Sequence, residues 1–350
     1  MASIQPNLSA GTTKPTPNPA PIGYIRLRII VAIFRFFQTV GKWCDLYLSI
    51  PLPSSPAFKI TIPSTVSSTP GKIPLLFYTP KSYTRPTYGG TQGQQRPLLD
   101  TKPKHPILIN LHGGGYTIGS ASDDARWCTS VTQTPSPAPV VISVDYRLAP
   151  AHPFPIGIED VVSTILFLWR HADEYNLDIT KTALSGFSAG GQFCFTVLYR
   201  LHDELEKLKR EGKIAEVVVG KIVSLVAFYP PTDWTRTRKE RAASNPDAEV
   251  AIPPFVGQVM EQSYLSLKPE NMGQVLLSPS LASDELLRKA LPEKMVIMTC
   301  WSDALMREAE TFRERLKALG KEVEGYVIPG VGTYIQGRHI LLIGYHLVST

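Results

Sequence analysis

The segment Gly186-Phe187-Ser188-Ala189-Gly190 constrains this chain more than any other. It has the form GxSxG. It follows an apolar run, Thr182–Phe187, and opens a helical pattern, Gly190–Arg210. That context implies a sharp strand-to-helix turn with strained backbone angles at the serine. Glycines on both sides leave room where a Cβ would strike the neighbouring strand and helix. The turn pushes the Ser188 hydroxyl out at the C-terminal edge of a sheet, where open α/β sheets bind their ligands. Ser188 is therefore the candidate nucleophile.

The rest of the chain supplies a sheet for such a turn. Pro106–Leu111, Val140–Val144, Thr182–Phe187, Ile222–Phe228 and Met295–Thr299 are short, mostly apolar runs. Strands apolar on both faces suit a parallel sheet covered by helices on each side. Helical patterns lie between them at Glu159–Ala172, Gly190–Arg210 and Leu305–Leu319. The alternation predicts an α/β fold of right-handed βαβ units in a mostly parallel central sheet. Upstream, Phe58–Ile62 and Leu75–Tyr78 read as a hairpin, and Pro80–Lys104 as a surface loop. Pro230–Leu267 breaks the rhythm with Pro230, Pro231, Pro253 and Pro254 and no clear strand, which points to an insertion over the sheet. Val323–Ile328 reads as one more strand.

Composition narrows the functional classes. The 350 residues, 43% of them hydrophobic, suffice for one large α/β domain or two small ones. The net charge of +6 is modest, and Lys207–Lys213 lies among glutamates as the solvated face of a helix. Nucleic-acid binding is not expected, because no motif accompanies the charge. The four cysteines are far apart and form no CxxC pair, which argues against zinc and a disulfide scaffold and for free thiols, as in the cytoplasm. Residues 1–22 are polar and suit a disordered lead-in, not a secretory signal. In Ile25–Phe37 three arginines interrupt an apolar stretch too short and too charged to span a membrane. Such a helix can lie on a membrane surface. Packing on the domain as part of a lid is the favoured reading.

A second motif fits the first. His112-Gly113-Gly114-Gly115-Tyr116 follows the strand Pro106–Leu111. Adjacent glycines let backbone N–H groups approach a developing oxyanion closely. Gly113 and Gly114, with Gly115 also available, and the N–H of Ala189 make the candidate oxyanion hole. His112 is expected to order its loop. A phosphate cradle would need the Lys-Ser/Thr of a P-loop, which is absent.

HGGGY, then Asp145-Tyr146-Arg147-Leu148-Ala149-Pro150-Ala151-His152-Pro153-Phe154-Pro155, then GFSAG, resembles the hormone-sensitive-lipase-like family of α/β-hydrolases, in the style of its fungal members. The resemblance runs from about Leu75 to Gly332. It implies an α/β-hydrolase domain over 23–350, with a lid from 25–46 and 230–267. It also implies hydrolysis of small carboxylic esters, of hydrophobic or secondary-metabolite type, without cofactor or metal. Asp145 and Arg147 are expected to pair behind the oxyanion loop. Asp303, in Cys300-Trp301-Ser302-Asp303-Ala304-Leu305, resembles the family's triad acid and would also suit a helix N-cap. His152 is placed in a turn. His105, His171 and His202 read as surface residues, and no histidine has metal spacing.

The family then places its catalytic histidine directly after Gly332, where this chain has Thr333. Threonine has no group that titrates near neutral pH. The tail 333–350 does not resemble the family's last helix. Three explanations stand: His339 or His346 folds back; the protein is a hydrolase fold without catalysis, binding a small ligand or partner; or the tail is translated intron. Gly332-Thr333-Tyr334 can be encoded through GTACGT, a plausible splice donor. Acyl transfer to an acceptor other than water would use the same triad. The substrate and the oligomeric state are not legible in the sequence.

Overall fold

Val140–Val144 is buried at every residue, as a strand covered on both faces must be. The computed structural model describes residues 22–50, 52–86, 88–89, 96–97, 103–135, 137–245, 252–265 and 271–332. In chain order its first elements are α1 (Tyr24–Leu48), β1 (Phe58–Pro63), β2 (Lys72–Tyr78), β3 (Tyr88–Gly89), β4 (Arg96–Pro97) and β5 (His105–Leu111). Then come α2 (Ala125–Thr132), β6 (Val140–Val144), α3 (Ile156–Arg170), β7 (Leu177–Phe187), α4 (Ala189–Arg210) and β8 (Ile222–Phe228). The last are α5 (Arg238–Ser244), α6 (Pro254–Tyr264), α7 (Asp284–Ala290), β9 (Lys294–Ser302), α8 (Met306–Ala318), β10 (Glu322–Glu324) and β11 (Val327–Gly332).

The main sheet runs β1-β2-β6-β5-β7-β8-β9-β10, with β11 also on β9. The β1–β2 and β2–β6 pairs are antiparallel, and every later pair is parallel. Alternation along each strand builds two cores. In β5, Ile107, Ile109 and Leu111 pack with α3, α4 and the α8 residues Phe312 and Leu316. Leu108 faces the other way, toward Trp127 and Cys128 of α2. Val226 and Val296 on this second face stay half-buried. The sheet is therefore the mostly parallel α/β architecture that the strand–helix alternation predicts.

Several expectations need correction. The Val323–Ile328 strand is two strands, β10 and β11, broken at Gly325. There φ is +133°, and a Cβ would overlap the Ile297 carbonyl. β10 pairs with Lys294–Val296, and β11 picks up β9 again at Thr299. The insertion holds two helices, α5 and α6. Residues 246–251 and 266–267 of it lie outside the described residues, as do 1–21, parts of the 80–104 loop and the whole tail 333–350. α1 extends well past Phe37, through Gln38, Thr39, Lys42 and Asp45. His105 is not a surface residue: it is buried at the start of β5, with Nδ1 3.1 Å from the Ala138 carbonyl.

Arg147 does not pair with Asp145. Its guanidinium forks onto Asp160 of α3 at 2.7–3.2 Å, and also donates to the carbonyls of Thr69 and Pro70. Asp160 is wholly buried and also accepts from Ser64 and from the Arg147 backbone N–H. A buried carboxylate needs this many donors, and Asp145 cannot offer such a site. Asp145 instead accepts from the Ala121 N–H at 3.0 Å, steadying the segment behind the glycine loop.

Candidate active site

The parallel strands bring the singled-out residues to one edge. β5 ends at Leu111 and β7 at Phe187, and Leu111 is in register with Gly186. The glycine loop and Ser188 therefore leave the sheet side by side. β9 ends at Ser302, one residue before Asp303, and β11 ends at Gly332 beside Ser302. All four strand ends lie on the C-terminal edge.

Ser188 occupies the strained turn that its motif predicts, with φ +52° and ψ −114°. Left-handed backbone at a non-glycine residue is costly and persists only where its surroundings enforce it. Here the enforcement is visible. The Ser188 N–H donates to the Phe228 carbonyl at 2.9 Å, and the Ser188 carbonyl accepts from Gln192 at 3.0 Å. A Cβ at Gly186 would overlap the Gly190 carbonyl, and one at Gly190 would overlap the Leu111 carbonyl. Strand, turn and helix meet backbone to backbone, so only glycine fits.

The second loop bends toward the same point. Gly113 lies against the Phe187 carbonyl, which would sit 3.1 Å from an added Cβ. Gly114 (φ +108°) and Gly115 (φ +56°) adopt conformations that side chains disfavour. His112 Nδ1 is 2.7 Å from the Gly113 carbonyl. Burial holds the His112 imidazole below its ordinary pKa, so the ring is neutral and Nδ1–H is the donor. In a trans peptide the carbonyl and the next N–H point opposite ways. Holding the Gly113 carbonyl against the ring therefore turns the Gly114 N–H away from it. The Ala189 N–H belongs to the first turn of α4, where no intrahelical acceptor exists and the helix dipole is positive. Ser188, Gly113, Gly114 and Gly115 are half-buried, whereas His112 and Ala189 are buried.

His112 is itself fixed. Its ring stacks on Tyr146 at 4.2 Å and 4°, and the Tyr146 hydroxyl donates to the His112 carbonyl at 2.6 Å. Tyr146 was not singled out from the sequence. It lies in the DYRLAP run, whose packing role is here given atoms.

Asp303 is nearly inaccessible, at 2%. Its Oδ1 accepts from the Leu305 N–H at 2.9 Å, and its carbonyl accepts from Met306. The N-cap of α8 is Leu305. Asp303 therefore orders the turn before the helix and does not occupy the cap position itself. Burial, and after it the nearby charge of Asp303, pushes the Cys300 thiol up to about 12. Thr333, His339 and His346 lie outside the described residues. Among the described residues no His/Cys/Asp/Glu cluster is placed to hold a metal ion. All four cysteines are free thiols.

Helix α6 of the insertion packs beside the glycine loop, and α5 beside α8. Met260 of α6 lies where a side chain on Gly115 would go. Tyr264 stacks on Tyr116 at 3.8 Å, and the Tyr116 hydroxyl donates to Gln192 of α4. Arg241 of α5 reaches Glu308 of α8 at 2.9 Å, and Glu308 also accepts from the Thr232 N–H. Gln192, Tyr264 and Met260 carried no signal in the sequence, because the contacts that join α4, α6 and the glycine loop follow no local period.

A family model described as the alpha/beta hydrolase fold matches residues 108–334. The chain is 36% identical over 222 residues to the carboxylesterase NlhH of Mycobacterium tuberculosis, covering 63% of each chain. It is 28% identical over 161 residues to the esterase LipI of the same organism, covering 46% of this chain. That match spans about half of the relative's length (45%). A solved fungal esterase structure from Rhizomucor miehei superposes with a TM-score of 0.68 at 21% identity, covering 91% of this chain and 88% of the other, which supports the fold. With GFSAG, HGGGY and DYRLAP meeting at one sheet edge, the chain belongs to the hormone-sensitive-lipase-like family of α/β-hydrolases.

Proposed function

We propose that this site hydrolyses a small, hydrophobic carboxylic ester through an acyl-enzyme on Ser188. The observation that carries the reading is the Ser188 turn, strained at φ +52° and set against the Gly113–Gly114 loop. In the proposed cycle Ser188 Oγ attacks the ester carbonyl carbon, and an imidazole takes its proton. The N–H groups of Gly113, Gly114 and Ala189 hold the oxyanion. The carbon–oxygen bond to the alcohol breaks, and the imidazole returns the proton to the leaving alkoxide. Water then resolves the acyl-enzyme by the same steps in reverse. Asp303 would accept the imidazole N–H and fix its tautomer.

The imidazole belongs at position 333, the residue after Gly332. With Thr333 there, the chain has every proposed part except the base. The test is turnover of short-chain nitrophenyl esters by the chain as written and by Thr333→His. Gain of turnover in the variant, lost again with Ser188→Ala, supports the reading. Equal and negligible turnover in both would favour the second reading, which Thr333 itself motivates: a hydrolase fold that binds a small apolar ligand without cleaving it.

A further inference from the structure

α1 is amphipathic the wrong way round for a helix that covers a protein. The face toward the body is fastened largely by polar groups. Arg35 donates to the carbonyls of Thr117 and Ala149 at 2.9 and 3.0 Å. Gln38 accepts from the Gly119 N–H and donates to Asp123, Lys42 reaches Ser120 and Asp123, and Asp45 pairs with Arg126. Apolar packing on this face is limited to the N-terminal half, where Leu27 and Val31, with Ile30 and Phe34, pack against Val259 of α6. The opposite face carries Ile25, Ile29, Ile33, Phe36, Val40, Trp43 and Tyr47, all exposed, with Phe36 at 64% and Trp43 at 62%. These positions recur at steps of three and four, so they form one continuous stripe along the helix.

Isolated exposed apolar residues need no explanation, but a contiguous stripe marks an interaction surface. Its chemistry selects the occupant. Arg26 and Arg28 are exposed and lie on opposite flanks of the stripe at helical spacing. The one acidic residue of α1, Asp45, is engaged by Arg126 on the body-facing side. The outward face is thus apolar and aromatic with basic edges and no acid. Trp and Tyr are the side chains that favour the headgroup level of a bilayer. No helix among the described residues is long and apolar enough to cross a membrane, and the polar face of α1 is occupied by the protein itself. We infer that α1 lays its outward face into the surface of an anionic lipid membrane and holds the C-terminal edge of the sheet close to that surface.

The inference does not depend on the proposed hydrolysis, and its test reads binding alone. Full-length protein is sedimented with vesicles of phosphatidylcholine, with and without phosphatidylserine. It should pellet with the vesicles, more strongly when phosphatidylserine is present. Trp43 emission should shift blue and be quenched by brominated lipid, and Trp43→Phe should remove that signal. Arg26→Gln with Arg28→Gln should weaken binding to phosphatidylserine vesicles by about thirtyfold. Ile29→Ser with Phe36→Ser and Val40→Ser should abolish pelleting. Wild-type protein that stays in the supernatant with both vesicle types overturns the inference, and that measurement needs no variant to fold. So does a soluble dimer that the triple variant dissolves, since a second copy would then be the occupant.

Discussion

Gly332 stands beside Ser302 in the parallel register of β11 on β9, so the chain leaves its last described strand next to Asp303. In the proposed mechanism an imidazole at position 333 would act between Asp303 and Ser188. Thr333→His should therefore raise kcat/KM for a short nitrophenyl ester by about 10²–10⁴-fold, the usual worth of a positioned general base. In that background Asp303→Asn should remove most of the gain. No gain from Thr333→His, in a variant whose circular dichroism matches the parent, would mean that the base does not come from this position.

Gly190→Ala should destabilise the fold by about 3 kcal/mol, because the new methyl overlaps the Leu111 carbonyl and neither strand nor helix can yield cheaply. Urea unfolding followed by tryptophan fluorescence measures this. Ser188→Ala, which adds nothing to that contact, should unfold within about 0.5 kcal/mol of the parent or be slightly more stable, as expected when a strained functional residue is simplified.

Asp160→Asn should cost about 3–5 kcal/mol, since it leaves the Arg147 guanidinium, whose side chain is 8% exposed, without its counter-charge. Asp145→Asn, by contrast, should cost about 1 kcal/mol, the weakening of one hydrogen bond from Ala121. Equal effects from the two substitutions would restore the Asp145–Arg147 pairing that the sequence suggests.

His112 carries a pH dependence. Burial lowers its pKa below the ordinary 6.5, so below that pH the unfolded chain binds a proton that the folded chain refuses. Stability should therefore fall as pH drops from 6.5, until the folded-state pKa is passed. The Tm of the parent should decline between pH 6.5 and about pH 5 more steeply than that of His112→Gln, which has no group titrating there. Matching slopes in thermal melts would show that the ring titrates normally.

How far the sequence could be read follows from what each signal depends on. The glycine motifs and apolar strands depend on local chemistry, and they lie where expected. α2 was not foreseen, because its eight residues, with Ala125, Trp127, Cys128 and Val131 as their apolar content, are too few to show a period. The break between β10 and β11 turns on the close approach of Gly325 to Ile297, a contact between strands that no local pattern records. Arg147 follows the same rule. Its partner lies 13 positions away on α3, where burial, not proximity in sequence, selects Asp160.

The backbone contacts of Gly186, Gly190 and Gly191 separate two meanings that the GFSAG signature usually carries together. Those glycines are demanded by how tightly β7, α4 and the segment at Leu111 pass one another. A descendant that had stopped turning over substrate would still lose stability on losing them, whereas it could exchange Ser188 at little cost. The glycines are thus a record of architecture, and on the proposed mechanism the serine would be a record of use. In this chain the serine has stayed while the residue after Gly332 is not histidine, and it is this mismatch, rather than the intact motif, that bears on whether the site has worked recently.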